Sequence, residues 1–325
     1  MLWMSVAALA AVVVLSAAYT GEKVAEARAR RRYPAPGQLV DVGGRRLHIL
    51  ARGSAPGPTV VIEQGVGSPS LMWWPVQEAV AKFACVCTYD RAGFLWSDPV
   101  AAQRSIEDRV ADLHTLLVRS GVPRPYVLVA HSFGGLVVKQ FARAYTEEVA
   151  GMVLVDVPGE AVLFRESSLR FYRQGVAFQK ILRGAARFGL VRLLARRSKM
   201  LLLPEDEMGY ALCVTPAHAA AVADDMRALL NATAAARAPQ PAGSLGDRPL
   251  IALAHGLPFP AQAVVLEEGW RDGMRAIAAA STDGELIVAA RSNHMIYLDE
   301  AELVIESIRR VHACARDGTR LTQRS

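Results

Sequence analysis

Residues 126–136 read Tyr-Val-Leu-Val-Ala-His-Ser-Phe-Gly-Gly-Leu, and no other stretch constrains this chain as much. The apolar run Tyr126–Ala130 has the length and branching of a buried parallel strand. Beyond it, Leu136, Val137, Val138, Phe141 and Ala142 recur at helical spacing. Ser132 therefore stands where a strand turns sharply into a helix. Ala130 before it and Gly134 after it are small enough for a tight turn that lifts the hydroxyl out of the sheet. A serine capping an ordinary helix is the plainer reading of such a position. The strand ahead of it and the Gly134-Gly135 pair behind it favour an exposed nucleophile instead.

A serine hydroxyl reacts only beside a base, and the base needs an acid to orient it. Of the seven histidines, His294 follows a strand-like run, Glu285–Ala290, and precedes a helical stretch from about Asp299 to Val311. His48 alternates within a strand, and His131 belongs to the turn itself. His114, His218 and His312 lie on helical stretches. His255, at the end of a strand, is the remaining rival.

The strand–Ser132–helix turn resembles the nucleophile elbow of the α/β-hydrolase family, with Ala130 in place of the usual first glycine. Residues 89–98, Tyr-Asp-Arg-Ala-Gly-Phe-Leu-Trp-Ser-Asp, resemble a second block of that family, with Leu95 in place of a glycine. We read Asp90 and Arg91 there as loop structure. The resemblance spans about residues 38–156 and 248–312. It implies an α/β-hydrolase fold: a mostly parallel twisted sheet flanked by helices, with a helical cap insertion. It also implies a triad in the chain order serine, acid, histidine. His294 then holds the base position, and His255 comes too early. Many relatives carry the acid after the strand that here is Pro249–Ala254, yet no carboxylate follows until Glu267 and Glu268. A branch with the haloalkane-dehalogenase topology places it after the strand that follows the elbow helix. That strand is Gly151–Val155 and it ends in Asp156, which we take as the acid, with Glu160 as second candidate. An aspartate at a strand end can equally serve local turn hydrogen bonds. The resemblance further implies an oxyanion hole from the backbone N–H of Phe133 and of Val66, the latter in the loop Glu63–Gly67, where relatives carry a His-Gly pair. From local sequence alone, Gly65 and Gly67 fit a plain turn as well.

With 52% hydrophobic and 21% charged residues the chain is not disordered, and 325 residues allow one large α/β domain with an insertion. Gly43-Gly44 signals a hairpin between Gln38–Val42 and Arg46–Ala51. Strands and helices then alternate as in a parallel sheet covered by helices. We divide the chain into 1–20 (anchor), 21–37 (linker), 38–158 with 248–315 (core) and 159–247 (cap). Residues 1–19 carry no charged side chain, close to the roughly 20 needed to span a bilayer. They lack the basic start of a secretory signal, and Arg28 and Arg30–Arg32 follow. We expect an uncleaved membrane anchor, the side of the membrane being open; secretion after signal cleavage is the other reading. The net charge of +6 gathers in Lys23–Arg32 and Arg183–Lys199, without the interleaved aromatics of a nucleic-acid surface. Over 181–197, Arg183, Arg187 and Arg192 stand among apolar residues. This suits either an amphipathic helix on anionic lipid or a cap helix with a solvated basic face. Cys85 and Cys87 share one side of a strand and Cys213 and Cys314 are isolated, so neither a disulfide framework nor a zinc site is expected.

These features predict a membrane-anchored serine hydrolase acting on a small-molecule or lipid-like ester, using no cofactor or metal and binding no nucleic acid. A serine at the elbow argues against dehalogenase and typical epoxide-hydrolase chemistry, whose family members use an aspartate there. The alternatives are an acyltransferase or thioesterase on the same triad, or a non-catalytic binding protein of this fold.

Overall fold

The apolar runs assemble into one twisted sheet. The computed structural model describes residues 2–99, 102–195, 207–259 and 264–323. Its strands are β1 (Gln38–Asp41), β2 (Arg46–Arg52), β3 (Thr59–Glu63), β4 (Val86–Tyr89), β5 (Tyr126–His131), β6 (Val149–Val155), β7 (Leu250–His255) and β8 (Gly284–Ala289). They lie in the order β1-β2-β4-β3-β5-β6-β7-β8. The β1–β2 hairpin and the β2–β4 pair are antiparallel; every later pair is parallel. Because side chains alternate across a strand, each central strand feeds two cores. Val61, Leu128 and Leu154 face one core. Val60, Val127 and Val153 face the other.

Helices α2 (Trp74–Val80), α3 (Ile106–Arg119) and α4 (Gly134–Ala144) fill the connections of the first half of the sheet. Ser105 starts α3 with a reciprocal capping box to Asp108. Between β6 and β7 lies the helical cap: α5 (Glu160–Leu163), α6 (Glu166–Arg187), α7 (Leu190–Ala195), α8 (Glu207–Cys213), α9 (Pro216–Leu230) and α10 (Ala234–Arg237). The chain returns through α11 (Trp270–Ala278), α12 (Ile296–Asp299) and α13 (Ala301–Asp317). Leu113, Phe141 and Met274 of α3, α4 and α11 cover one face of the sheet. Val76 of α2 and Val304 and Ile308 of α13 cover the other.

Two segments depart from expectation. The N-terminal helix, α1, runs Leu2–Arg32 without a break, so the linker expected over 21–37 shrinks to 33–37. Residues 21–32 are mostly Ala, Glu, Lys and Arg, all strong helix formers, and Pro34 ends the run. The basic-apolar stretch 181–197 is not one helix either. It breaks after Arg187, and Gly189 turns the chain with φ +73° into α7. Arg196, Arg197 and Lys199 lie outside the described residues.

Candidate active site

The site assembles at the carboxyl ends of β5, β6 and β8. Ser132 directly follows β5 and holds φ +51°, a left-handed conformation that costs about 1–3 kcal/mol for a non-glycine residue. The turn is possible because neighbouring backbone comes very close. A Cβ on Gly134 would stand 2.7 Å from the carbonyl oxygens of Glu63 and Gln64. One on Gly135 would collide with Val157. Asp156, directly after β6, also holds a left-handed backbone, at φ +49°. Its N–H donates to Leu253 O at 2.7 Å, which ties it to β7.

Ser132 Oγ lies 2.9 Å from His294 Nε2, and His294 Nδ1 lies 2.7 Å from Asp156 Oδ2. A carboxylate only accepts, so Nδ1 carries the proton and Nε2 is free to accept from the serine. The structure thus brings together Ser132, His294 and Asp156. Glu160 is not with them: it pairs with Lys139 at 2.7 Å. Glu268 is exposed and pairs with Arg165. Glu267 accepts from the Phe259 N–H at 2.9 Å and faces His255, not His294.

His255 shares the Asp156 carboxylate with His294. Its Nδ1 is 2.8 Å from Asp156 and its Nε2 is 3.2 Å from Glu267. Trp270 Nε1–H donates to Asp156 Oδ1 at 3.0 Å. Burial works against the charge of Asp156, but the hydrogen bonds from His255 and His294 outweigh it and hold the carboxyl at about 2. Burial, with His294 close by, pushes His131 down to about 3, so that ring stays neutral. Its Nε2–H donates to the carbonyl of His294 at 2.9 Å and steadies the loop that carries His294.

The loop after β3 lies against the serine. A Cβ on Gly65 would sit 3.3 Å from Ser132 Cβ and 2.7 Å from His131 Nδ1. Among the described residues, the amides of Val66 and Phe133 donate to no protein acceptor. Arg91 grips this loop from below. It donates to Gln64 O at 2.8 Å and to Gly65 O at 2.6 Å. It also pairs with Glu63 at 2.5 Å and with Asp225 of the cap at 2.8 Å. Asp225 in turn accepts from the Gly67 N–H at 3.2 Å. Reading Arg91 as loop structure missed this clamp, although the Tyr-Asp-Arg block was the signal for it.

Above Ser132 is a cavity of about 530 Å³. Its walls are mainly apolar, with Leu163, Phe178, Leu182, Val191, Val222 and Trp270 among them. The cap helices α6 and α9 pack on each other and roof it.

An eight-stranded sheet of this order, an elbow serine and a helical cap define an α/β-hydrolase fold. A family model described as alpha/beta hydrolase fold matches residues 58–301, and the chain belongs to that family. The Bacillus subtilis protein YqjL is 33% identical over 115 residues, 35% of this chain and 46% of its own length. The chain spans less than half the length of the curated relatives it matches. Among solved structures, an enol-lactonase from Burkholderia xenovorans superposes with a TM-score of 0.61 at 16% identity, over 84% of this chain and 99% of that one. The Cif epoxide hydrolase from Acinetobacter nosocomialis gives 0.65 at 16% identity, over 90% and 96%. At such identities these likenesses speak for the fold alone.

Proposed function

We propose that this chain is a serine hydrolase that cleaves a carboxylic ester through an acyl-enzyme. The observation that carries the reading is the continuous line from Ser132 Oγ through both nitrogens of His294 to Asp156, at 2.9 and 2.7 Å. Ser132 Oγ attacks the acyl carbonyl as His294 Nε2 takes its proton. Asp156 holds the Nδ1–H tautomer and stabilises the imidazolium. The negative oxygen of the tetrahedral intermediate accepts from the unengaged amides of Phe133 and Val66. The intermediate collapses, the C–O bond to the alcohol breaks, and His294 returns the proton to the leaving oxygen. Water, deprotonated by the same histidine, then releases the acid and restores Ser132. The nucleophile, base, acid and oxyanion donors of this sequence all come from the chain, and water is the second reactant. A lactone is an internal ester, so the enol-lactonase named above fits the same chemistry.

The N-terminal helix is long and apolar enough to cross a membrane over Trp3–Arg32. We read its uncharged part as an anchor. The mainly apolar cavity suits a substrate with an apolar acyl or alcohol part.

Labelling by a fluorophosphonate and turnover of a chromogenic ester series test the reading together. Ser132→Ala should abolish labelling and lower kcat on the order of 10⁶-fold. A variant that keeps more than about a tenth of the wild-type rate would end it. Product analysis with added alcohols or thiols separates hydrolysis from transfer to another acceptor.

A further inference from the structure

The N-terminal helix leaves the folded body at Glu22. From Trp3 to Gly21 its side chains are exposed, apart from half-buried Ala18. Glu22 is buried and accepts from Arg192 of α7, from Nη2 at 2.7 Å and from Nε at 3.0 and 3.2 Å. A Cβ on Gly189, in the α6–α7 turn, would stand 3.3 Å from Glu22 Oε2. At 1.5 Å per residue, Glu22 is about 3 Å along the axis from Thr20, where the uncharged span ends. The α6–α7 corner is therefore held beside the point where the span meets the domain.

That corner carries an apolar surface of its own. Ile181, Leu193 and Leu194 are 69%, 64% and 61% exposed, and Leu190 and Phe178 are exposed beside them. Lys180, Arg183 and Arg187 are exposed on the same helices, and among the described residues none has a carboxylate partner. The inner side of the same two helices, through Leu182, Ala186 and Val191, lines the cavity over Ser132. Phe178 both lines that cavity and reaches solvent.

We propose that the α6–α7 corner docks into the bilayer that the N-terminal helix spans, and that the cavity behind it takes a long-chain acyl ester from that bilayer. The proposal rests on the reading of Ser132 as nucleophile and of the N-terminal helix as a span. Apolar side chains entering the acyl boundary, with exposed Lys and Arg at headgroup level, form the pattern of an interfacial helix. The cations draw the corner to anionic lipid. A membrane is favoured over a protein partner because the Glu22–Arg192 pair already holds the corner at the end of the span.

The test uses the full chain carrying Leu193→Cys, labelled with a polarity-sensitive dye and reconstituted into phosphatidylcholine–phosphatidylglycerol vesicles. Cys87, Cys213 and Cys314 are buried, and labelling of the unsubstituted protein measures any reaction at half-buried Cys85. Glu147→Cys, exposed just before β6 and so at the opposite end of the sheet from Asp156, is the control position. Emission at 193 should shift blue and fall at least twofold with doxyl-labelled lipid, while emission at 147 does not change. Water-like emission at 193 overturns the docking. A blue shift that doxyl lipid does not quench also overturns it, and indicates contact with a second copy of the chain. In a second arm, Leu193→Asp with Leu194→Asp should lower turnover of a vesicle-borne long-chain ester tenfold or more relative to a soluble short-chain ester. An unchanged ratio overturns the route from the bilayer. If no ester is turned over at all, the hydrolase reading fails and with it the substrate class, while the dye still decides the docking.

Discussion

Asp156 serves two histidines at once, and this sets the chemistry of the site at the level of single groups. It is fully buried and accepts from His294, His255 and Trp270. With its carboxyl held at about 2, it stays anionic throughout any working pH range. Its share of stability is present above the unfolded carboxyl value, about 3.9, and is lost as pH falls through the folded value. Asp156→Asn should leave a folded protein with kcat lower on the order of 10⁴-fold, because the imidazole is then held in the wrong tautomer. Circular dichroism with turnover checks this, and an unimpaired rate would remove Asp156 as the acid. His255 faces carboxylate oxygens with both ring nitrogens. Burial opposes its charge, but the hydrogen bond and charge of Asp156, helped by Glu267, raise its pKa. A raised histidine stabilises fully below its unfolded value, about 6.5, and loses that contribution as pH rises through the folded value. The Tm advantage of wild type over His255→Gln should therefore be largest near about pH 5.5 and narrow toward about pH 9. An advantage that is constant, or that widens with pH, contradicts a charged His255.

At the scale of elements, the site depends on how closely the elbow helix approaches its neighbours. Gly135 packs on Val157, in the segment that leads away from Asp156. Gly135→Ala should destabilise by about 1–3 kcal/mol, the cost of overpacking a filled core. Adding Val157→Ala should recover much of that loss by making room for the new methyl. If urea unfolding shows the double variant less stable than Gly135→Ala alone, the close approach is not the reason for the glycine. This contiguous geometry is also why the elbow was legible from sequence: strand, Ser132 and glycines are neighbours in the chain. His294 was legible for a similar reason, through its position between a strand and a helix. The clamp on the loop after β3 was not. Arg91 meets Asp225 across 134 residues of chain, and α9 carries no local pattern that marks Asp225 as a partner. His255 was visible only as a rival base, because its pairing with Asp156 exists only once β6 and β7 lie side by side. The expected helix over 181–197 failed because periodicity counted the apolar positions and passed over Gly189, whose turn sets α7 against the N-terminal helix.

At the scale of the whole molecule, one N-terminal helix stands clear of the domain over its first half and touches it over its second. The half before Glu22 is uncharged and exposed but for half-buried Ala18; the half after it meets the domain along one side, where Glu22 and Ala29 are buried. Ala29 is buried against a cluster that includes Leu71, Trp96, Leu212 and Cys213, and Trp96 Nε1–H donates to Tyr33 O at 2.8 Å. An uncleaved anchor and a signal segment cut near Thr20 therefore have the same consequence for the domain: Gly21–Arg32 stays attached to it. Sequencing the N-terminus of the protein isolated from cells separates the two, since cleavage would leave a chain starting near Gly21. Truncation tests the division itself. Removal of residues 2–20 should give a soluble, active protein, because the Glu22–Arg192 pair and the Ala29 contact survive. Removal of residues 2–32 deletes Glu22 and leaves Arg192, partly buried, without its carboxylate, and it also uncovers Leu212 and Cys213. Losing one partner of a fully buried pair costs about 3–5 kcal/mol, and a partly exposed arginine loses less. With about 2–4 °C of Tm per kcal/mol for a domain of 150–250 residues, the longer truncation should melt several degrees below the shorter one. Equal melting temperatures for the two truncations would show that Gly21–Arg32 is a passive spacer and not part of the folded domain.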